Sequence, residues 1–342
     1  MTKKILLICG SLNQTTMMHK IATHLHDYDF YFTPFYADNL LEKVRKTGLL
    51  KHTILDGKHF RATVDYLKDE NLPLDVAGRQ HEYDLILTGT DLIVQSNIRK
   101  KRMVLVQEGI TEPEDFSYWM VKNLKLPRFF ANTSATGLSN AYDRFCVASP
   151  GYREYFINKG INPEKIIVTG IPNFDNLHIA LDNAFPYKNY ILVATSSIRE
   201  TGKFDDRISF LKKVKHFAQG KLVIVKLHPN EKVRRAEREI RAIIPEAIIF
   251  REGDTSHMVA NCDVLITQVS SIVYWGLALG KEVHSYFDLE FLKKLQPIQN
   301  NGKSASLIAD VCRNLLQTPY DKLREPITKR PLIRKWLPFG YD

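Results

Sequence analysis

Ser270 and Ser271 follow the apolar run Val264 to Ile266 and precede a helical, small-residue pattern ending at Gly280, within DVLITQVSSIVYWGLALGK (Asp263 to Lys281). A strand, a polar turn and a helix start collect anions, because free backbone N–H groups and the positive end of the helix dipole point at one spot. The serine hydroxyls and N–H groups can hold a phosphate; plain helix capping is the competing role. KLHPN (Lys226 to Asn230) closes an earlier apolar run. His228 can give a hydrogen bond or a proton to a leaving phosphate oxygen, with Pro229 fixing the turn, or it can simply cap that turn. Glu108 follows Val104 to Val106 and precedes Gly109. A carboxylate at a strand end lies where open α/β sheets bind ligands, and it can take a proton from an attacking hydroxyl; a surface carboxylate is the plain alternative. Ser196, Ser197 and Arg199 end another apolar run on the phosphate side, where Arg199 can meet a phosphate or an acidic sugar, or a salt-bridge partner. Gly10 and Ser11, after the first apolar run, can approach the acceptor or the donor and are expected on the acceptor side; a lone glycine turn is the plain alternative. His19, His24 and His26 lack the spacing of a helical metal pair and no Asp-x-Asp ends a strand, so no metal site is expected.

Short apolar runs alternating with amphipathic stretches must position these groups, the pattern of βαβ units and parallel sheets. Strands are expected at Lys4 to Cys9, Phe30 to Thr33, Asp84 to Thr88, Met103 to Gln107, Arg144 to Ala148 and Ile166 to Thr169. A second series runs through Tyr190 to Thr195, Leu222 to Leu227, Ala247 to Phe250, Val264 to Thr267 and Val283 to Tyr286. The Asn-, Asp- and Pro-rich stretch Ile171 to Tyr187 separates the two. The expected fold is therefore α/β, with two Rossmann-like domains facing across a cleft: residues 1–175 on the acceptor side, 176–318 on the nucleotide-donor side, and a tail at 319–342. That tail interleaves basic residues with Trp336, Leu337 and Phe339. It can lie on an anionic membrane surface or pack back onto the first domain.

The 342 residues are 44% hydrophobic and 25% charged, which suits two folded domains and excludes disorder. A formal charge of +10 favours anionic partners, but no nucleic-acid-binding motif accompanies it, so no nucleic acid is expected. Four dispersed cysteines, Cys9, Cys146, Cys262 and Cys312, read as buried thiols. With neither a signal-peptide core nor a spanning run in the sequence, a cytoplasmic location is expected, free or peripheral on the inner face of the membrane.

IIVTGIPNFDN (Ile166 to Asn176) resembles the junction ending the N-terminal domain of UDP-N-acetylglucosamine 2-epimerases and related GT-B glycosyltransferases. YDLILTGTD (Tyr83 to Asp91) and VLVQEG (Val104 to Gly109) are similar to two upstream segments of the same proteins. Asp91 then matches an epimerase catalytic position, or is a turn or cap residue. The epimerase His-Arg-Arg-Glu segment stands here as Ser197-Ile198-Arg199-Glu200, and Trp275-Gly276 replaces its paired glutamates. Bacterial GT-B sialyl- and Kdo-transferases, which use CMP-sugars, resemble this chain in Glu108-Gly109, His228-Pro229 and Ser270-Ser271. CDP-glycerol glycerophosphotransferases share the segments at Lys226 to Pro229 and Leu265 to Ser271. These resemblances imply a GT-B glycosyltransferase with Glu108 and His228 catalytic, a nucleotide-sugar as substrate rather than cofactor, and a glycan or lipid-linked acceptor. An epimerase-like isomerase, a CDP-glycerol-type phosphotransferase and a non-catalytic binding relative are the alternatives.

Overall fold

Runs such as KILLIC and VLIT are apolar at all but one terminal position because their strands are covered on both faces, the condition of a parallel sheet between helices. The computed structural model describes residues 2–38, 55, 57–112, 114–201 and 204–319. Its first sheet contains β1 (Lys4–Cys9), β2 (Asp29–Pro34), β3 (Leu85–Thr88), β4 (Arg102–Val106), β5 (Arg144–Val147) and β6 (Ile166–Val168), in the order β2-β1-β3-β4-β5-β6. The second contains β7 (Ile191–Ala194), β8 (Val223–Lys226), β9 (Ile248–Phe250), β10 (Val264–Thr267) and β11 (Glu282–His284), in the order β11-β10-β7-β8-β9. Every pairing within them is parallel. The expected pair of Rossmann-like domains is thus observed.

Helices α1 (Leu12–Ala22), α2 (Gly57–Asp69), α3 (Phe116–Leu124) and α4 (Pro150–Asn158) accompany the first sheet. With the second run α5 (Arg207–Ala218), α6 (Val233–Ile243), α7 (Thr255–Asn261), α8 (Val273–Ala278) and α9 (Leu289–Leu295), and α10 (Ser304–Gln317) follows. Strand order reverses between β1 and β3 in one sheet and between β7 and β10 in the other. At such switch points the connections diverge to opposite faces and leave a crevice beyond the strand ends. Gly10 and Ser11 follow β1, while Thr195, Ser196 and Ser197 follow β7, so both crevices carry residues singled out above.

The chain crosses between the lobes twice, and the two crossings are laced together. Gln299 Nε2 donates to Phe174 O, Leu177 N to Gln299 Oε1 (3.2 Å), and Asn300 Nδ2 to Thr169 O (3.1 Å). Asp175, buried within the Pro-Asn-Phe-Asp segment, accepts the Ser304 N–H at 2.7 Å and so caps α10. That helix packs back on α1 and β4 of the first lobe. Lys3 Nζ donates to Leu316 O (2.6 Å), and the Arg102 guanidinium donates to Leu316 O (3.0 Å) and Thr318 O (2.7 Å). The expected second domain, 176–318, is therefore corrected at its end: residues 304–317 complete the first lobe, because their apolar face is covered there. The tail expected to meet a membrane, 320–342, lies outside the described residues. All four cysteines are buried and unpaired, and burial pushes the Cys146 and Cys262 thiols up to about 12.

Candidate functional site

Glu108 leaves the carboxyl end of β4 in a turn fixed by its neighbour. The buried Gln107 side chain donates to Gly109 O (2.8 Å) and accepts the Ala148 N–H (2.9 Å), tying the turn to the end of β5. The half-buried Glu108 carboxylate accepts from Ser11 Oγ at 2.8 Å, from Asn13 Nδ2 at 3.2 Å and from Gln14 Nε2. All three donors come from the first turn of α1, whose N-cap is Ser11 itself, accepting the Gln14 N–H at 3.2 Å. Gly10 and Gly89 make room for this arrangement: a Cβ at Gly10 would stand 2.1 Å from Gln14 Oε1, and one at Gly89 3.1 Å from Gln14 Cδ. Ser11 thus holds the carboxylate, and Gly10 leaves the space that Gln14 occupies. Asn13 and Gln14 escape a search for reactive residue types; their one sequence signal is position, two and three residues past a helix-capping serine.

Asp91, by contrast, has no free face. It is fully buried and accepts the backbone N–H groups of Gly137 (2.9 Å) and Ser139 (3.0 Å), while its carbonyl accepts from Arg128 Nε (3.2 Å). The expected acceptor-side role is corrected to a structural one, since both carboxylate oxygens are committed to closing the 137–139 loop.

In the second lobe His228 leaves β8 and turns its ring onto its own loop: Nδ1 accepts the Asn230 N–H at 3.1 Å. An Nδ1 that accepts leaves the ring proton on Nε2. Its backbone N–H is held by Thr195 Oγ1 (3.0 Å) and Glu231 Oε2 (3.0 Å). Glu231 pairs in turn with Arg207 (3.0 Å), and Arg207 with Asp205 (3.1 Å), with all three side chains buried. Asp205 also accepts from Gln268 Nε2 at 2.6 Å, and Gln268 Oε1 accepts from Ser196 Oγ at 3.1 Å. This buried network joins the ends of β7, β8 and β10. It also absorbs Arg199, which is bidentate to Glu239 (2.9 and 2.8 Å) and 3.6 Å from Asp205. The bond to Glu239 raises the Arg199 pKa and commits the guanidinium, so its expected phosphate contact is corrected to an ion pair. Lys226 is likewise turned inward, donating to Leu227 O (3.0 Å) and Arg251 O (3.2 Å), with burial lowering its pKa.

Ser270 and Ser271 are half-buried and precede α8; Ser270 Oγ accepts the Ile272 N–H at 3.4 Å, a local capping bond. The lobes meet here, since a Cβ built at Gly109 would lie 3.8 Å from Ser271 Cβ and 3.9 Å from Phe174. The loop that carries Glu108 therefore faces the serine turn across the cleft. Phe174, on the first crossing, packs edgewise on Tyr274 and Trp275 and closes one side. On the other side a cavity of about 500 Å³ opens, lined by Ser196, Ser197, Asp205, Tyr286 and, from the first lobe, Glu112. Pro229 lies in sequence between His228 and Asn230, inside the turn closed by the hydrogen bond from the Asn230 N–H to the His228 ring. Among the described residues, no group of three or more His, Cys, Asp or Glu side chains is placed to hold a metal ion.

No protein-family model and no curated protein sequence matches the chain. Solved structures do. UDP-GlcNAc 2-epimerase from Neisseria meningitidis, bound to UDP-GlcNAc, superposes with a TM-score of 0.56 at 12% identity, covering 91% of this chain and 100% of that one. The Staphylococcus aureus MnaA structure with UDP gives 0.55 at 14% identity, over 96% and 99% of the two chains. A variant of the wall teichoic acid polymerase TagF gives 0.51 at 13%, over 95% and 90%. The fold is GT-B, shared at this level by proteins of different activity.

Proposed function

We propose that the chain is a metal-independent glycosyltransferase that moves a sugar from a CMP- or UDP-linked donor to a glycan or lipid-linked acceptor, in the synthesis of cell-surface polysaccharide. The observation that carries this reading is Glu108, held by the first turn of α1 at a strand end and facing the Ser270-Ser271 turn across the interlobe cleft. A carboxylate has about four lone-pair positions. Three are occupied here, which fixes its direction and leaves one for an acceptor hydroxyl. In the proposed step the acceptor oxygen attacks the anomeric carbon as its proton passes to Glu108, and the bond from that carbon to the phosphate oxygen breaks. The departing nucleotide takes the electron pair. Its charge meets the hydroxyl and N–H donors of Ser196, Ser197, Ser270 and Ser271 and the Nε2–H of His228, donors placed where negative charge grows.

The fold likeness to UDP-GlcNAc 2-epimerases favours a second reading, an isomerase acting on a UDP-sugar. Against it stands the state of the residues that align with the epimerase segments: Asp91 is enclosed, and Arg199 and Glu200 are paired with Glu239 and Arg235. A thermal-shift panel of CMP, CDP, UMP and UDP identifies the donor base, followed by transfer assays with the matching sugar nucleotides. Glu108→Gln is expected to lower transfer by about a hundredfold or more while leaving nucleotide stabilisation intact. Conversion of UDP-GlcNAc alone into its 2-epimer, or a Glu108→Gln enzyme as fast as the parent, would sink the transferase reading.

A further inference from the structure

Beyond the cleft, the loop after Glu108 leads into an apolar surface that the first lobe leaves uncovered. Helix α3 buries Tyr118 and Val121 against the following turn, yet presents Phe116 at 71% and Trp119 at 52% exposure on its opposite side. The two rings stack at 5.8 Å with planes 11° apart; Leu124 (59%), the last residue of the helix, and Phe130 (56%), in the turn that follows, are exposed as well. Large apolar side chains in solvent cost free energy, and soluble proteins rarely cluster them without an occupant.

The charges around the patch say which occupant. Exposed Lys122 and Lys125 flank the patch, the Lys122 amine donating to Tyr118 Oη at 3.3 Å. The neighbouring carboxylates are occupied at the other end of the helix: Asp115 caps it by accepting the Tyr118 N–H at 3.0 Å, and Glu114 lies 3.6 Å from the buried Lys159 amine. The outward face is thus apolar and cationic together, complementary to lipid tails and anionic headgroups. We propose that α3 and the turn following it are a docking surface for an anionic lipid bilayer. The patch adjoins the cleft, since Glu112 lines the cavity and its N–H is held by Thr133 Oγ1 (2.9 Å) in that same turn. A docked molecule would meet a lipid-linked acceptor beside Glu108. The docking itself does not depend on the proposed reaction.

Flotation of the full-length protein with vesicles tests this directly. Binding is expected to vesicles containing about one-third phosphatidylglycerol, and to be at least about tenfold weaker on phosphatidylcholine alone. Phe116→Ser with Trp119→Ser, and separately Lys122→Glu with Lys125→Glu, are each expected to reduce binding about tenfold at unchanged thermal stability. These side chains are exposed, and the Lys122 change also removes its bond to Tyr118 Oη, so thermal stability is measured for each variant beside binding. Undiminished binding by both double variants would overturn the proposal, as would loss of binding only on removing residues 320–342. A wild-type dimer that the aromatic double variant splits in sedimentation velocity would overturn it too, by assigning the patch to a second copy.

Discussion

At the scale of single residues, the first lobe holds two carboxylates with opposite fates, and their surroundings explain both. Asp91 is fully buried and closed in by two backbone N–H groups, whereas Glu108 is held by side chains and is only half-buried. A third ionisable group, Lys159, is buried beneath the rings of Tyr118 and Tyr155. Burial, partly offset by Glu114, lowers its pKa to about 8. A lysine whose folded pKa lies below its unfolded value makes the unfolded chain bind more protons between those values, so stability gains as pH rises from about 8 toward the ordinary lysine range near 10.4. Relative to Lys159→Met, the parent should therefore gain on the order of 2–3 kcal/mol in urea unfolding across that window. An unchanged difference between the two proteins over the window would mean that the amine stays charged when buried. The reactive residue types were legible in the sequence, but their commitments were not: Glu239, which claims Arg199, lies in another helix and reads only as part of a charged face. Asn13 and Gln14 carry no chemistry of their own and gain a role only because Glu108, far along the chain, arrives beside them.

At the scale of elements, the eleven strands among the described residues were legible, because a strand covered on both faces is mostly apolar and gives way to polar residues at its ends. How elements meet was less so. Helices α4 and α9, from opposite lobes, approach so closely that a Cβ on Gly151 would fall 1.8 Å from the Lys294 carbonyl oxygen. Nearby, Ser149 Oγ donates to Leu295 O at 2.9 Å, and the buried hydroxyls of Tyr152 and Tyr274 bond at 2.8 Å across the lobes. Gly151→Ala must move one helix backbone, so it is expected to cost roughly 3 kcal/mol, read as a lower denaturation midpoint in urea. A midpoint equal to the parent's would show that this contact yields freely. No sequence pattern marks Gly151, because its constraint comes from a carbonyl distant in the chain.

At the scale of the whole molecule, the lobes are fastened along one side by that contact and by the laced crossings, and open on the other at the cavity. Such an arrangement permits hinge closure about the fastened edge. Small-angle scattering should record a smaller radius of gyration when the nucleotide that gives thermal stabilisation is added at saturation; an identical profile would mean the cleft is already set at its working width. The return of α10 to the first lobe has a different consequence, in the order of assembly during synthesis. Lobes that followed one another simply along the chain could form in turn as they left the ribosome. Here the first lobe lacks the helix that covers α1 and β4 until residue 317 has emerged. The second lobe, lying wholly inside that interval, is free to condense before its elder is finished, and a chain cut at the crossing would strand the first lobe with an apolar face laid bare.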